Sequence, residues 1–512
     1  MLDDATTRRL AEFKGLIARC RTAYEVLDLN LELPAVVRNG TVRHIGVHHN
    51  VFGIGGIGRV LPILIGKLLE AGFKVTVFID RQVPQEKSLS ALPEGVDLMV
   101  LPHAVSDSNK KALVRRIATL AEELRARQID AWYEHSHNLI AWSDNSALWT
   151  LMAVRYVLGI PCYMHVHAQF TMDLYRGDGD WFDVLLRKFL PTWMSVLVVL
   201  SKSNVWFFRS HGVKALYMPN PLDDALKSVS GRVAKKTADG KTVLWVGRMV
   251  SVPKQPMEAL RIFKLVHKKM PTARLVMLGD GDAMADALRY REKHGLTSCV
   301  ELAGVRPDAY SFYRNADVFL STSRFEGFPM VLLEAMAHSL PIVAYALSGV
   351  EPLRENAGAL TVPQGDAAAA ADAIVRLLSD GDFAAQMAQA SREKLRQFEA
   401  YDFAKVYRGL FGGEEMNENA DGAEDGQLRD AVAAGLWDAA NYSNQIFRNT
   451  LLQYGRIFRP LTRAVIVYHL SRAFLSAPFS RQLARLHKEK AVRLEKLYRW
   501  VSKPGRRVPL FG

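Results

Sequence analysis

Two successive series of short apolar segments constrain the fold of this chain of 512 residues more than any other feature. The segments are rich in β-branched and aromatic residues and alternate with helical stretches, a pattern typical of parallel sheets built from strand–helix–strand units. Two such series predict an α/β protein with two doubly wound, Rossmann-like domains. The predicted strands are 44–49, 74–79, 131–135, 161–167 and 195–201 in the first series, and 241–247, 273–279, 299–302, 317–323 and 341–346 in the second.

The remaining segments complete the predicted domain organisation. The turn Pro219-Asn220-Pro221 is suited to linking the two series. Further on, 412–427 contains six acidic residues and few apolar ones, as expected of a flexible linker. We predict a helical lead-in at 1–40, a first Rossmann-like domain at 41–220, a second at 221–411, an acidic linker at 412–427 and a basic amphipathic helical tail at 428–512.

The net charge of +13 is concentrated in that tail. Residues 451–512 carry 14 Lys and Arg against 2 Glu, so the tail alone accounts for +12. The body of the chain is therefore nearly neutral, and no recognisable module supports a nucleic-acid partner. Basic residues surround an apolar helical face in 483–501, which predicts peripheral binding to anionic membrane through 451–507. A helical cap on the core and an oligomerisation element are the alternative interpretations.

Three features indicate a cytoplasmic protein, and the basic tail adds a peripheral position on the inner face of the cytoplasmic membrane. The cysteines Cys20, Cys162 and Cys299 are scattered and odd in number, which fits neither a disulfide framework nor a zinc site. The first twenty residues contain acids and arginines where a signal peptide needs an apolar stretch. The sequence contains no run of eighteen apolar residues, so no membrane span is predicted.

A glycine-rich loop follows the first predicted strand. Gly53, Gly55 and Gly58 satisfy G-x-G-x-x-G before a helix that begins near Arg59, a geometry that lets backbone amides approach a phosphate. Asp80 ends the next strand 22 residues after Gly58, where a dinucleotide-binding enzyme places a ribose-binding acid. An NAD(P)-dependent enzyme and a tight turn without a ligand are therefore both alternatives at this loop.

Two glutamates eight positions apart form the most informative motif of the second series. Glu326 lies in the loop after the strand at 317–323, at the edge where open α/β sheets bind ligands. Glu334 is predicted about two turns into the next helix, with Pro329 near its first position. Two carboxylates so placed accept hydrogen bonds from a polyhydroxylated ligand, whereas the alternative is a solvated loop acid and a surface helix residue.

The segment around these glutamates, F-E-G-F-P-x-x-x-L-E-A-M-A, resembles the signature of retaining glycosyltransferases of family 4, which have the GT-B fold. The resemblance covers about 42–411, and its parts follow the order of that family. The further matching segments are Gly55-Gly56, Asp130 to His135, Pro161 to His167, 198–204, 218–223, Gly247-Arg248 with Lys254, 278–281 and Ala316 to Ser323.

The resemblance implies that a nucleoside-diphosphate sugar, most simply a UDP- or GDP-sugar, binds in the cleft between the two domains. Glu326, Arg248, Lys254 and His167 are then the catalytic residues, with the two cations on the diphosphate and His167 near the transferred sugar. Arg248 and Lys254 are six positions apart, and no glycine follows Lys254, which departs from the family pattern. The implied donor-binding residues are Gly55, Gly56, Gly247, Gly279, Gly327, Phe328, Pro329, Met330, Val331 and, on the ribose, Glu334.

The implied reaction transfers a hexosyl group to a saccharide, lipid-linked or other glycoconjugate acceptor with retention of anomeric configuration. Glu326 is not expected to act as a glycosidase-type nucleophile, because the departing phosphate oxygen deprotonates the acceptor in a front-face substitution. No D-x-D motif lies in a suitable loop, so no metal and no obligatory cofactor are expected. A nucleotide-sugar 2-epimerase of the same fold and a non-catalytic sugar-nucleotide-binding assembly subunit are the alternative functions.

Overall fold

The structure is a computed structural model that describes residues 2–29, 31–36, 42–49, 56–80, 92–102, 109–136, 146–167, 184–222, 226, 241–347 and 358–412. The predicted acidic linker beyond Gly412 and the predicted basic tail at 428–512 lie outside the described residues. Gly53 and Gly55 of the glycine-rich loop also lie outside them.

The first domain is built on a sheet of seven parallel strands in the order β3-β2-β1-β4-β5-β6-β7. Nearly every side chain of its central strands is buried, including those of His48 and His165. The strands are β1 (His44–His49), β2 (Lys74–Ile79), β3 (Asp97–Val100), β4 (Ala131–Ser136), β5 (Cys162–Val166), β6 (Val196–Val199) and β7 (Ala215–Tyr217).

Helices surround this sheet, beginning with the predicted lead-in. The first helix is capped by the Asp3 side chain, which accepts from the backbone N–H of Thr6, and its Phe13 packs edge-on against Trp149 at 5.8 Å between ring centroids. The helices are α1 (Asp4–Arg19), α2 (Ala23–Val26), α3 (Gly56–Glu70), α4 (Lys110–Ala126), α5 (Ser146–Leu158), a π-helical turn (Leu185–Phe189) that continues into α6 (Leu190–Trp193), and α7 (Lys202–Ser210).

The second domain has a sheet of six parallel strands in the order β10-β9-β8-β11-β12-β13. Its strands are β8 (Lys241–Val246), β9 (Ala273–Leu278), β10 (Val300–Gly304), β11 (Val318–Ser321), β12 (Ile342–Tyr345) and β13 (Ala359–Val362). Its helices are α8 (Pro256–Lys269), α9 (Met284–Lys293), α10 (Ala309–Arg314), α11 (Met330–Ala337), α12 (Ala367–Ser379) and α13 (Gly381–Glu399).

The last described helix, α14 (Phe403–Gly412), returns to the first domain. Its Phe411 packs against Phe73, Tyr133 and Tyr163, with ring centroids 5.5, 5.4 and 4.8 Å away. The chain thus crosses between the domains twice, and both domains share one apolar core.

The two predicted Rossmann-like domains are confirmed. Each of the ten predicted strands is present, and β3, β7 and β13 are additional. Among the helices of the described residues, none combines the length and the apolar character needed to cross a membrane.

Candidate functional site

Two loops at the carboxyl edge of the second sheet are joined by their backbones. The N–H of Gly247, after β8, donates to Leu278 O at 3.0 Å, and the N–H of Met249 donates to Asp280 O at 2.8 Å. Gly279 has φ of +127°, and a Cβ there would lie 1.8 Å from the carbonyl oxygen of Gly247. Only glycine allows this approach, because any side chain would collide with the neighbouring loop.

The loop after β11 is fixed to the loop after β8. The Thr322 hydroxyl donates to Lys254 O at 2.9 Å and accepts from the indole N–H of Trp245 at 2.9 Å. The N–H of Arg324 donates to Pro253 O at 2.8 Å. Since β8 and β11 are neighbours in the sheet, these contacts hold Lys254 beside the loop that carries Glu326.

Glu326 and Lys254 form an ion pair. Lys254 Nζ lies 2.5 Å from Glu326 Oε1, and the Ser323 hydroxyl donates to the same oxygen at 2.7 Å. Both charged side chains are largely buried, with 16% and 13% of their surface exposed. The structure therefore brings together two of the predicted catalytic residues despite the unusual Arg–Lys spacing.

Glu334 is buried, with 3% of its surface exposed. Arg59 Nη1, from the start of α3 in the first domain, donates to Glu334 Oε1 at 2.6 Å, and the Tyr313 hydroxyl donates to Oε2 at 2.6 Å. The predicted surface alternative for Glu334 is wrong. It is also the fifth residue of α11, nearer the helix start than two turns, because the helix begins at Met330 with Pro329 as its N-cap.

The start of α11 lies at the junction of the domains. The Asn220 side chain donates to Phe328 O at 2.8 Å, and both Phe328 and Met330 are buried, whereas Val331 is half-buried. The first N–H groups of a helix attract anions, so this terminus is suited to a phosphate group. Arg248, on the loop after β8, is exposed.

The domains make a close backbone contact at Gly327. A Cβ at this position would lie 2.1 Å from the carbonyl oxygen of His167 and 2.9 Å from Leu200 Cδ1, both in the first domain. Glu326 precedes Gly327 in the chain and is therefore close to His167, the residue that follows β5. Gly56, the described half of the predicted Gly55-Gly56 pair, is exposed at the start of α3, three residues before Arg59.

Three buried histidines line the carboxyl edge of the first sheet. His135 Nδ1 lies 2.9 Å from His167 Nε2, and the His165 and His167 rings stack with centroids 4.3 Å apart. Burial lowers the pKa of His165 to about 3, and burial together with nearby His165 and His49 lowers the pKa of His135 well below its usual value. Both imidazoles are therefore neutral at pH 7.

Asp80, the acid of the NAD(P) alternative, belongs to a buried charge network. Its Oδ1 pairs with Arg116 Nη2 at 2.5 Å and with His48 Nε2 at 3.0 Å, and His48 Nδ1 lies 2.8 Å from both carboxylate oxygens of Glu134. Burial raises the pKa of Asp80, but the charges of His48 and Arg116 outweigh it and hold that pKa below its usual range. A carboxylate so engaged is not available to a ribose, which argues against the NAD(P) alternative.

This network predicts a pH-dependent stability. Burial lowers the pKa of His48, but Glu134 and Asp80 raise it to about 9 from 6.5. The charged imidazole therefore contributes stability that is fully present below pH 6.5 and is lost as the pH rises through 9. We expect the wild-type melting temperature to exceed that of His48→Gln by several degrees near pH 6. The two should converge above pH 9, and a difference independent of pH would contradict a charged His48.

Comparison with known proteins finds a family match within the second domain. The sequence model described as "Glycosyl transferases group 1" matches residues 240–380. This match lies within the second domain and covers about a quarter of the chain. The match includes Glu326, Glu334, Arg248 and Lys254, so all four site residues of the second domain lie in the family segment.

The individual relatives include a mannosyltransferase and a phosphotransferase. The chain is 27% identical over 300 residues to phosphatidyl-myo-inositol mannosyltransferase of Mycobacterium tuberculosis, covering 56% of this chain and 78% of that protein. It is 28% identical over 245 residues to an exopolysaccharide phosphotransferase of Streptomyces coelicolor, covering 47% and 25%. Across the first curated relatives, the chain spans between 25% and 66% of their own length.

Solved structures confirm the predicted GT-B fold. The crystal structure of HepE from Anabaena, in complex with UDP and glucose, aligns with a TM-score of 0.55 at 17% identity and covers 72% of this chain and 97% of its own. At this identity the likeness establishes the fold and not the ligand.

Three residues of the site were not predicted from the sequence. Arg59 directly follows the glycine-rich loop, and Ser323 ends the A-D-V-F-x-x-x-S segment, so both had a local signal. Tyr313 had none, because its role depends on the packing of α10 beside α11. Asp130 was part of a predicted motif, and its carboxylate accepts the N–H groups of Arg43 and His44 at the start of β1.

Proposed function

We propose that this chain is a retaining glycosyltransferase that moves a hexosyl group from a nucleoside-diphosphate sugar to a saccharide or lipid-linked acceptor. The observation that carries the proposal is the Glu326–Lys254 ion pair, which lies next to the point where Gly327 meets His167 of the other domain. The C-terminal ends of the strands of both sheets meet at this point. A carboxylate and a cation placed there suit a ligand with both hydroxyl and phosphate groups.

The diphosphate would be held by cations and backbone amides of the second domain. Lys254 and the exposed Arg248 lie on the loop after β8, and α11, whose N-terminus has no side-chain cap, begins four residues after Glu326. Negative charge grows on the leaving phosphate as the sugar departs, so fixed cations stabilise the transition state more than the bound donor. In this proposal the two cations and the amides of α11 stabilise the departing phosphate.

Glu326 would orient the sugar, and Glu334 the ribose. Ser323 and Lys254 both bind Glu326 Oε1, which leaves Oε2 to accept from sugar hydroxyls. Both oxygens of Glu334 are already engaged, by Arg59 and by Tyr313. A ribose hydroxyl would therefore share or replace the Arg59 contact, and Arg59 belongs to the donor site of this proposal.

The acceptor would enter from the first domain, near His167. In a front-face substitution the departing phosphate oxygen takes the proton of the acceptor hydroxyl, the new glycosidic bond forms on the face from which the phosphate leaves, and configuration is retained. The basic tail would place the enzyme at anionic membrane, where lipid-linked acceptors reside. Co-sedimentation of the full chain with anionic, but not neutral, vesicles tests that placement.

A thermal-shift screen followed by a transfer assay tests the function. UDP or GDP at about 100 times its Kd should stabilise the chain by about 2.7 kcal/mol, visible as a rise in melting temperature, whereas NADH should have no effect. Arg248→Ala should abolish most of that rise, and Arg306→Ala, an exposed arginine after β10, should not.

The matching donor should then be consumed only with an acceptor, and NMR of the product should show the donor's anomeric configuration. Stabilisation by NADH alone would contradict the proposal. Conversion of the donor to its 2-epimer without an acceptor would instead identify the epimerase, and binding without any turnover would identify the assembly subunit.

A further inference from the structure

His135, His165 and His167 share one face of the first sheet. β4 and β5 are adjacent parallel strands, and His135 is directly opposite His165 in their register. Side chains two positions apart on a strand point to the same face, so His167 follows His165 on that face. His165 on β5, His167 just beyond its end and His135 on β4 thus place three imidazoles within reach of one point.

The three side chains are close together and buried. One ring nitrogen of each lies within 4.8 Å of one ring nitrogen of each of the others. Their exposed fractions are 1%, 0% and 9%. In the part of the chain that the structure describes, this is the one group of three or more His, Cys, Asp or Glu with metal-ligand spacing.

Two of these histidines have ring nitrogens without a protein partner. Nε2 of His135 and Nε2 of His165 are buried and make no hydrogen bond. The other nitrogen of His165, Nδ1, is 3.0 Å from the Tyr133 hydroxyl on the same face. A buried polar atom without a partner costs free energy, so these nitrogens favour a ligand. A hydrogen bond to the second ring nitrogen is also the usual support of a metal-binding histidine.

We propose that His135, His165 and His167 form a binding site for a divalent late transition-metal ion, with zinc as the best fit. Imidazole is a preferred ligand of such ions, and three histidines with an open fourth position are a known zinc arrangement. Hard cations such as magnesium prefer oxygen ligands and are not expected. The buried Cys162 lies on the opposite face of β5, an odd number of positions from His165, so it is not a ligand.

Binding requires a local rearrangement of the rings. His135 Nδ1 and His167 Nε2 now lie 2.9 Å apart, which is hydrogen-bonding distance, and the ion would replace that contact. Zinc–nitrogen distances are about 2.0–2.1 Å, so the stacked rings must turn toward a common point. The site does not depend on sugar transfer, and its test is independent of any donor.

Metal content and cobalt spectroscopy test the site. The full chain, treated with chelator and then dialysed against zinc, should retain one equivalent. Substituted cobalt should show the strong visible absorption of a four-coordinate site. His165→Asn should weaken zinc binding by at least about 100-fold and Tyr133→Phe by roughly 10-fold. His294→Ala, at a histidine after α9 in the second domain, should leave it unchanged.

The cobalt spectrum of the wild-type chain keeps the test decisive even where a variant fails to fold. Circular dichroism and melting curves identify such variants. Retention of well under one equivalent of zinc would overturn the proposal, as would a weak six-coordinate cobalt spectrum. Zinc binding that is unchanged in folded His165→Asn and His135→Ala would do the same.

Discussion

Glu326→Gln is expected to lower kcat of the proposed transfer by roughly 100- to 1000-fold, the range seen when one stabilising group is removed from an active site. Glutamine keeps the shape of the side chain but removes the charge that holds Lys254. The cation would then lie less accurately beside the phosphate, and the sugar hydroxyls would lose a charged acceptor. Because the loop is fixed by Thr322 and Arg324 rather than by Glu326, the fold should survive.

Steady-state kinetics against a matched control measures this effect. Glu70 pairs with Lys67 on the surface of α3, so Glu70→Gln also breaks a Lys–Glu pair. This pair is less buried than the pair of Lys254 and Glu326. It should change kcat by less than about twofold, because exposed pairs contribute little. Glu326→Gln should lower kcat more than it raises KM, since the interaction is strongest in the transition state. Turnover close to that of Glu70→Gln would remove Glu326 from the catalytic residues.

Most of the strands that sequence analysis identified have buried side chains, and β10, with one buried residue, is the exception. All six residues of β1 and five of the six in β2 are buried, and the apolar and β-branched residues in both segments mark them as strands. By contrast, β3 is an edge strand whose Leu98 and Val100 are 39% and 45% exposed. Its sequence, DLMV, is too short and too exposed to stand out. β7 has three residues and β13 is largely half-buried, so the same reason applies to both.

The site could be predicted as a set of residues but not as a set of contacts. The signature around Glu326 is local in sequence and marks the loop after β11. The partners of its two glutamates are not local, because Lys254 is 72 positions from Glu326 and Arg59 is 275 positions from Glu334. Such contacts depend on strand order and on how the domains meet, and no periodicity within one segment encodes either.

Gly327→Ala adds a single methyl group and is still expected to lower turnover strongly. The added Cβ would lie 2.1 Å from His167 O, a backbone atom that cannot rotate away. The loop of Glu326 must therefore move away from the first domain by about 1 Å. A displacement of that size costs about 100-fold in rate when it separates reacting groups. We expect a comparable loss in kcat.

Donor binding and stability should respond differently from turnover in this variant. Apart from Arg59, the groups proposed to hold the nucleotide lie on the second domain, whose internal contacts the methyl group does not touch, so affinity for the nucleoside diphosphate should fall far less than turnover. Gly279→Ala provides the contrast, because its Cβ would lie 1.8 Å from Gly247 O within the second domain, and both stability and binding should fall. Gly15→Ala, with no neighbouring atom within 4 Å, should behave as wild type.

The pattern across these three alanines separates domain closure from domain integrity. If the approach of Gly327 to His167 is the catalytic arrangement, Gly327→Ala binds nucleotide normally, melts near the wild-type temperature and transfers sugar slowly. Normal turnover by a folded Gly327→Ala would mean that the reaction occurs with the domains further apart than they are here. Glu326 and His167 would then not need to act together, because the reaction would not require the closed arrangement in which Gly327 meets His167.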